Sequence, residues 1–249
     1  MSYLGIDTAT RLNATQAKIL HDNGVSFAGR YLTTPSMWKS LQANEARTLL
    51  DNGLAILLIY ETTSNRAREG AAAGRTDGAT AASIAKQYGV PTQCCIYFAV
   101  DYNAPRSDYQ LIEQYLCAAK DAISPYKVGV YGKADVINSV KADCYMQCIA
   151  WSEGVISPKL NVYQYEWQGG PNAKAIAAKI GVDVDLNRCE NLERAGMWLP
   201  QAVKPWYADA MEWAEENGLI MDGRPNDNVT RAELATVLMR FAAKISDWK

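Results

Sequence analysis

The sequence is poor in several groups on which common functions depend. It contains a single histidine, His21, which leaves little support for a Ser-His-Asp triad, a Cys-His pair or a multi-histidine metal site. A formal net charge of -2 over 249 residues gives no electrostatic reason to expect nucleic acid or an anionic membrane as a partner. No apolar run is long enough to span a bilayer. We therefore expect any chemistry to rest on carboxylates, without metal or cofactor.

The start of the chain and the cysteines bear on the compartment. Residues Met1 to Asp7 lack the basic start and apolar stretch of a signal peptide, so action outside the cell would require release by lysis or a non-standard route. The six cysteines do not form a disulfide framework for a chain of this length, and we expect reduced, buried thiols. Cys144 and Cys148 have loose zinc-ligand spacing, but no second pair completes a site.

Eight short, nearly continuous apolar runs divide the first 190 residues. Such runs are typical of parallel strands that are covered on both faces. The predicted strands are Tyr3-Ile6, Ser26-Leu32, Leu54-Tyr60, Gln93-Val100, Lys127-Tyr131, Met146-Trp151, Asn161-Tyr165 and Val182-Leu186.

Helical patterns separate these runs. The segments Thr15-Asn23 and Ala43-Asn52 each end before a glycine, and Ser107-Ser124 places apolar residues at helical spacing. Alternating strands and helices predict an α/β fold, a (β/α)8 TIM barrel over residues 1–195. Because this length is slightly small for the fold, some helices should be short or missing. A doubly wound sheet is the competing architecture, but no GxGxxG follows the first strand.

A different unit follows a predicted linker over residues 196–205. In residues 206–249 an apolar helix face beginning at Trp206 ends near Gly218. Thr230-Arg231-Ala232-Glu233 then forms a capping box before apolar residues at positions 234, 237, 238 and 241. This pattern predicts a small all-α helical hairpin.

This C-terminal unit resembles an S-layer homology module. The resemblance rests on Trp206-Tyr207-Ala208-Asp209 and the following helix, on Asn217-Gly218-Leu219-Ile220, and on Val229-Thr230-Arg231-Ala232-Glu233-Leu234. It implies binding to secondary cell-wall polymers, with Trp206, Thr230, Arg231 and Glu233 as the anchoring residues. Only one copy is present, so a vestigial or barrel-supporting role is the alternative.

The barrel is similar to the glycoside-hydrolase-like domain of unknown function that is related to lysozyme-type muramidases. The resemblance runs in order through Gly5-Ile6-Asp7, Phe27-Ala28-Gly29-Arg30-Tyr31, Ile59-Tyr60-Glu61, Ile96 to Tyr102, Gly129 to Gly132, Tyr163-Gln164-Tyr165 and Val184-Asp185-Leu186-Asn187. It implies a carboxylate-based activity on bacterial cell-wall glycan.

Four carboxylates fall at predicted carboxyl ends of strands: Asp7, Glu61, Asp101 and Asp185. In a TIM barrel these ends form the active face, so the four should meet at one rim. Carboxylates held close together raise one another's pKa, which provides an acid beside an ionised partner, as glycoside cleavage requires. Our hypothesis assigns Asp101 as general acid and the other three as stabilising or water-activating groups.

One departure from the muramidase pattern weakens this mechanism. Related enzymes carry Asp-x-Glu on the fourth strand, with the glutamate as the proposed proton donor. The corresponding residues here are Ala99 and Asp101, so one carboxylate is missing and the other is one methylene shorter. Glu61 could replace the missing group from the neighbouring strand.

Aromatic residues near strand ends support a sugar ligand. Flat rings can stack on pyranose faces, and a tyrosine hydroxyl suits a wet cleft; the candidates are Tyr31, Tyr60, Tyr102, Tyr131, Trp151 and Tyr165. Arg30 could bind a carboxylate of peptidoglycan, or form a structural salt bridge.

Three functions remain open on the sequence. The first is a peptidoglycan-lytic glycoside hydrolase, such as a phage or prophage lysin, located at the cell wall or outside the cell. The second is a non-catalytic glycan-binding protein, for which Ala99 is the main support. The third is a hydrolase of another glycan, or an amidase-like activity at the same rim.

Overall fold

The computed structural model describes residues 2–201, 208–219 and 230–246. The chain divides into two compact units, Met1–Gln201 and Ala202–Lys249. Across the described ranges no helix is long and apolar enough to cross a membrane.

The first unit is a closed barrel of eight strands in chain order, which confirms the predicted fold class. The strands are β1 (Tyr3–Asp7), β2 (Val25–Tyr31), β3 (Ala55–Tyr60), β4 (Cys95–Ala99), β5 (Lys127–Gly132), β6 (Cys144–Cys148), β7 (Val162–Glu166) and β8 (Asp185–Cys189). The helices are α1 (Ala14–Asp22), α2 (Ala43–Asp51), α3 (Ala71–Tyr88), α4 (Tyr109–Ile123), α5 (Ala134–Ser139) and α6 (Pro171–Ile180).

The helices show the predicted reduction. No helix lies between β6 and β7, a segment that is described throughout, and α5 has only six residues. The end of α1 agrees with the sequence: His21 is the basic residue of its last turn, and Gly24 adopts a positive φ of 80° just beyond it.

The direction of β8 differs from the prediction. The sequence pattern indicated a parallel strand over Val182–Leu186, whereas β8 begins at Asp185 and is antiparallel to both β1 and β7. The hydroxyl of Thr8, just after β1, donates to the Asp183 carbonyl at 2.8 Å. The turn before β8 therefore already lies at the end of the barrel where β1 finishes. Asp185 reaches that end as the first residue of its strand, not near the last.

The barrel lumen is filled by side chains. Phe27, Leu57, Tyr97 and Met146 are fully buried in one cluster inside it. Gly5 is required beside them, because a β-carbon at residue 5 would lie 2.2 Å from the Phe27 ring. A second, larger apolar cluster packs between strands and helices, so the barrel is a solid core with function confined to its ends.

Residues 196–201, which the sequence assigned to a linker, belong to the barrel unit. The Gly196 carbonyl accepts from Cys95 N–H at 2.7 Å, and Trp198 exchanges two backbone hydrogen bonds with Ile56. The Tyr97 hydroxyl donates to the Ala195 carbonyl at 2.7 Å. This segment covers the end of the barrel where the parallel strands begin, because Cys95 and Ile56 lie at the starts of β4 and β3.

The second unit contains α7 (Ala208–Glu216) and α8 (Arg231–Ser246). The predicted capping box is present: Glu233 N–H donates to Thr230 Oγ1 at 3.2 Å, and Thr230 N–H donates back to Glu233 Oε2 at 2.8 Å. The apolar face of α8 was expected to pack on the first helix, but Leu234 and Leu238 are exposed. Trp206 lies outside the described residues.

Candidate active site

A small cavity of about 90 Å³ opens at the end of the barrel where the parallel strands finish. Its lining is dominated by acidic and aromatic side chains: Asp7, Tyr31, Ile59, Glu61, Asp101, Tyr131, Gln164 and Asp185. All four carboxylates that the sequence selected are thus brought together at one mouth. The cavity is small and opens to solvent at the mouth of the barrel.

Asp7 and Asp185 are linked by one amide. Gln164 Nε2 donates to Asp7 Oδ2 at 2.9 Å and to Asp185 Oδ2 at 3.1 Å. The Tyr131 hydroxyl donates to Gln164 Oε1 at 3.0 Å, which fixes the orientation of the amide so that its N–H groups face the carboxylates. Asn187 Nδ2 also donates to Asp7 Oδ2, at 2.7 Å. Asp7 therefore accepts two hydrogen bonds on the same oxygen.

The environment separates the two aspartates in acidity. Burial, reinforced by the Asp185 charge, raises the pKa of Asp7 to about 7. Burial also raises the pKa of Asp185, but the Gln168 N–H opposes it by donating to Asp185 Oδ1 at 2.6 Å. Asp185 accepts hydrogen bonds on both oxygens, which opposes the effect of burial on its pKa, whereas no donor among the described residues reaches Asp7 Oδ1, which can carry a proton.

The other two carboxylates differ in their partners. Glu61 Oε1 lies 2.9 Å from Lys39 Nζ, and both side chains are largely buried, so the charge of Glu61 is neutralised locally. Asp101 follows β4, and burial together with the Glu61 charge raises its pKa, while Lys39 lowers it. Glu61 is therefore a poor substitute for the carboxylate that the muramidase pattern has at position 99. The residue present there, Ala99, is buried in the lumen cluster.

The predicted sugar-binding aromatics fall into two groups. Tyr31 and Tyr131 line the cavity. Three other tyrosines do not: Tyr60 is buried against Phe98, Tyr102 packs on the outer core and donates to Asp108, and Tyr165 packs outside the barrel. The prediction is wrong for Tyr60, which is buried in the core, because side chains alternate between the two faces of a strand and proximity to a strand end does not select the lumen side. For Tyr102 and Tyr165, which are half-buried away from the cavity, it stays a prediction.

Trp151 is exposed in the loop after β6, with a positive φ of 57° that a bulky residue rarely adopts. Its neighbour Ser152 is buried and donates to the Cys148 carbonyl at 2.7 Å, which holds this turn against the end of β6.

Arg30 does not face the cavity. Its side chain is fully buried, with Nε 2.7 Å from Glu45 Oε1, and Nη1 donates to the Thr8 carbonyl. The prediction that it binds a peptidoglycan carboxylate is wrong, and the alternative of a structural salt bridge is confirmed. The pair ties the start of α2 to β2, since Glu45 also accepts from the backbone of Leu12 and Gln42.

Sequence reasoning missed three polar residues of the site: Lys39, Gln164 and Asn187. Two of them carried a usable signal. Gln164 is a polar residue between two tyrosines of β7, and Asn187 lies two residues after Asp185, a spacing that places both on the same face of a strand. Lys39 carried none, because it lies in a loop whose path only the fold determines.

The thiols play no part at the mouth. Five of the six cysteines are buried as expected, and Cys117 is exposed, contrary to expectation. Within the described part of the chain, no group of three or more histidines, cysteines or acidic residues could hold a metal ion.

A closed eight-stranded barrel whose mouth is lined with carboxylates defines a glycoside-hydrolase-like protein. The matching family model is the Rv2525c-like, glycoside hydrolase-like domain, over residues 18–189, and the chain belongs to this family. An S-layer homology domain model matches residues 201–235.

Relatives agree with this assignment. The chain is 25% identical to the protein FadG of Bacillus subtilis over 98% of its own length and 46% of that protein. It is 28% identical over 59% of its length to a Mycobacterium tuberculosis protein named "Putative peptidoglycan hydrolase Rv2525c", of which it covers 63%. The chain thus spans about half, or somewhat more, of the length of these relatives.

Solved structures show the same fold. The crystal structure of the Tat-secreted Rv2525c of Mycobacterium tuberculosis matches with a TM-score of 0.66 at 26% identity, covering 79% of this chain and 98% of that one. The catalytic domain of the endolysin ply40 from bacteriophage P40 of Listeria monocytogenes matches with a TM-score of 0.52 at 17% identity, covering 78% and 96%.

Proposed function

We propose that the barrel hydrolyses a glycosidic bond of bacterial cell-wall glycan, peptidoglycan being the first candidate. The observation that carries the proposal is the Asp7–Gln164–Asp185 arrangement, in which two carboxylates share one amide at an open mouth and burial raises the pKa of Asp7 to about 7. The name of the related mycobacterial protein supports the choice of peptidoglycan.

In the proposed reaction Asp7 is the proton donor. A pKa of about 7 keeps much of its population protonated near neutral pH, and the two amides on Oδ2 direct the proton to Oδ1. In its ionised form Asp185 stabilises the positive charge that develops on the sugar ring. Water then forms the new bond to the anomeric carbon and returns a proton to Asp7, which regenerates the acid. Asp101, our original choice of acid, instead supplies a further negative charge that opposes loss of the Asp7 proton.

The test is release of reducing sugar from purified cell walls. We expect Asp7→Asn and Asp185→Asn to lower the rate by at least about a hundredfold, because each removes one member of the acid–carboxylate pair. Asp22→Asn, at an exposed acidic residue of α1, is the matched control and should leave the rate unchanged. Equal rates for wild type and Asp7→Asn would contradict the assignment.

A non-catalytic glycan-binding protein is the second candidate, and Ala99 favours it. At this position the muramidase pattern has a carboxylate, whereas Ala99 adds only a methyl group to the lumen. Wall binding by the wild type without any release of reducing sugar would establish this function instead.

We further propose that the C-terminal unit holds the protein on a secondary wall polymer, which would place it at the cell wall. Thr230 and Glu233 are engaged with each other in the capping box, so their contribution is to the helix start. Arg231 is exposed and is the candidate contact. Arg231→Ala should reduce retention on wall fragments while helicity is unchanged, whereas Thr230→Ala should reduce helicity, as circular dichroism would show.

A further inference from the structure

The loops around the carboxylate mouth expose large tryptophan rings. Trp38 is 70% exposed in the loop after β2, and Trp167 is 61% exposed directly after β7. Neither is needed for the apolar core, and large exposed aromatic rings at a polar mouth are typical of binding sites.

Each ring is fixed next to a group that contacts a cavity carboxylate. Trp38 precedes Lys39, whose Nζ lies 2.9 Å from Glu61. Trp167 precedes Gln168, whose N–H donates to Asp185 at 2.6 Å. Both tryptophans therefore lie in loops at the end of the barrel that carries the cavity, since they follow β2 and β7 and are next in the chain to residues that contact its carboxylates.

The loops that carry the two tryptophans follow strands on opposite sides of the Asp7–Asp185 pair. In the closed barrel the order around this sector is β7, β8, β1, β2, so the loops that carry Trp167 and Trp38 flank the two strands that carry the aspartates. Trp151, after β6, lies beyond Trp167 on the same side.

The Trp167 ring is held in place although it is exposed. A β-carbon at Gly169 would lie 2.0 Å from the ring, so one face of the indole rests on the backbone of Gly169. An aromatic platform that is fixed before the ligand arrives loses little conformational entropy on binding.

We propose that Trp38 and Trp167 are the two ends of a glycan-binding rim, and that the ligand is a polymeric chain of pyranose rings crossing the mouth between them. The proposal rests on the proposed function in taking glycan as the ligand. The cavity is small compared with a glycan chain, so a long chain extends over the rim, where the exposed indoles stack on its pyranose rings. The rim therefore selects long strands over short fragments.

The test measures binding by fluorescence polarisation for two labelled ligands, uncrosslinked peptidoglycan strands and a disaccharide fragment. All proteins carry Asp7→Asn, which prevents turnover during the measurement. Trp38→Ala and Trp167→Ala should each weaken strand binding about tenfold, while disaccharide binding stays as it was. Trp38→Phe and Trp167→Phe should restore part of the affinity. Gly169→Ala should reproduce the Trp167→Ala effect by displacing the ring.

Tyr3→Ala is the matched control. Tyr3 is 43% exposed at the start of β1, at the opposite end of the barrel, and its removal should not change strand binding. Equal strand affinities for the Asp7→Asn parent and for its Trp38→Ala and Trp167→Ala variants would overturn the proposed rim, as would a parent that does not bind strands. If binding depends on the tryptophans but the wild-type protein releases no reducing sugar, the glycan-binding rim is supported and the proposed hydrolysis is contradicted.

Discussion

Asp7, the last residue of β1, lies directly opposite Asp185, the first residue of β8, in an antiparallel strand pair. Two carboxylates in this register face each other inside a closed barrel, with Gln164 from β7 between them. The pair explains why a carboxylate stays partly protonated at neutral pH, since burial and the neighbouring charge both oppose ionisation of Asp7.

The raised pKa of Asp7 predicts a pH-dependent stability. The folded-state pKa of about 7 exceeds the unfolded value of about 3.9, so the folded state binds the proton more tightly. The stability that protonated Asp7 contributes is fully present below pH 4 and is lost as pH rises through 7. Asp7→Asn should therefore stabilise the protein above pH 7 by on the order of 2–4 kcal/mol, and by much less at pH 4.

Urea denaturation at pH 4.5 and at pH 8 would measure this difference. Asp22→Asn is the control, because the Lys18 hydrogen bond lowers the pKa of Asp22 and its pH dependence has the opposite sign. A difference between wild type and Asp7→Asn that does not change with pH would contradict the placement of the proton on Asp7.

Gln164 should control the acidity of Asp7. Its hydrogen bond favours the ionised form and lowers the Asp7 pKa, so Gln164→Met should raise that pKa above its wild-type value. Tyr131→Phe should act in the same direction but less strongly, because the amide stays and loses only its fixed orientation. Titration of the Asp7 carboxyl carbon by NMR would measure both effects without requiring any activity. An unchanged titration in Gln164→Met would show that the amide does not set it.

The buried pair Arg30–Glu45 should behave as a structural element. Arg30→Met leaves Glu45 buried without its cation and should cost about 3–5 kcal/mol of unfolding free energy in urea denaturation. The double variant Arg30→Met, Glu45→Leu should recover much of this loss, since no unpaired charge remains. Lys18→Met, at the exposed pair with Asp22, should cost no more than about 1 kcal/mol. Comparable losses for Arg30→Met and Lys18→Met would refute the structural role.

The spacing of Asp7 and Asp185 predicts the stereochemistry of cleavage. Both Oδ2 atoms contact the same nitrogen, so they lie no more than about 6 Å apart, below the roughly 6.5–9.5 Å of inverting enzymes. We expect retention of the anomeric configuration, which proton NMR of the first-formed product would show. Inversion would mean that a more distant carboxylate, such as Asp101, completes the pair.

The strand positions were predictable because burial on both faces leaves a local signal. Six of the eight predicted runs overlap their strands closely, whereas the predicted run Met146–Trp151 is displaced by two to three residues from β6 (Cys144–Cys148). The eighth strand, β8, was predictable as a strand, but its antiparallel direction was not. The direction of β8 depends on the end of the barrel at which the chain emerges from α6. The turn after α6 lies beside Thr8, at the mouth, and not at the opposite end of the barrel.

The sequence by itself determined the succession of barrel strands, the carboxylates at or just after the ends of β1, β3 and β4, and the capping box at Thr230, because each depends on spacing within a short segment. Asp185 reaches the mouth only because β8 runs antiparallel to its neighbours, which the tertiary structure decided. Only the tertiary structure decided which groups act together: that Arg30 belongs to Glu45, that Lys39 neutralises Glu61, and that one glutamine joins Asp7 to Asp185. These partners are 15 to 157 positions apart in the chain. Contacts over such separations are set by the closure of the barrel, which no local pattern encodes.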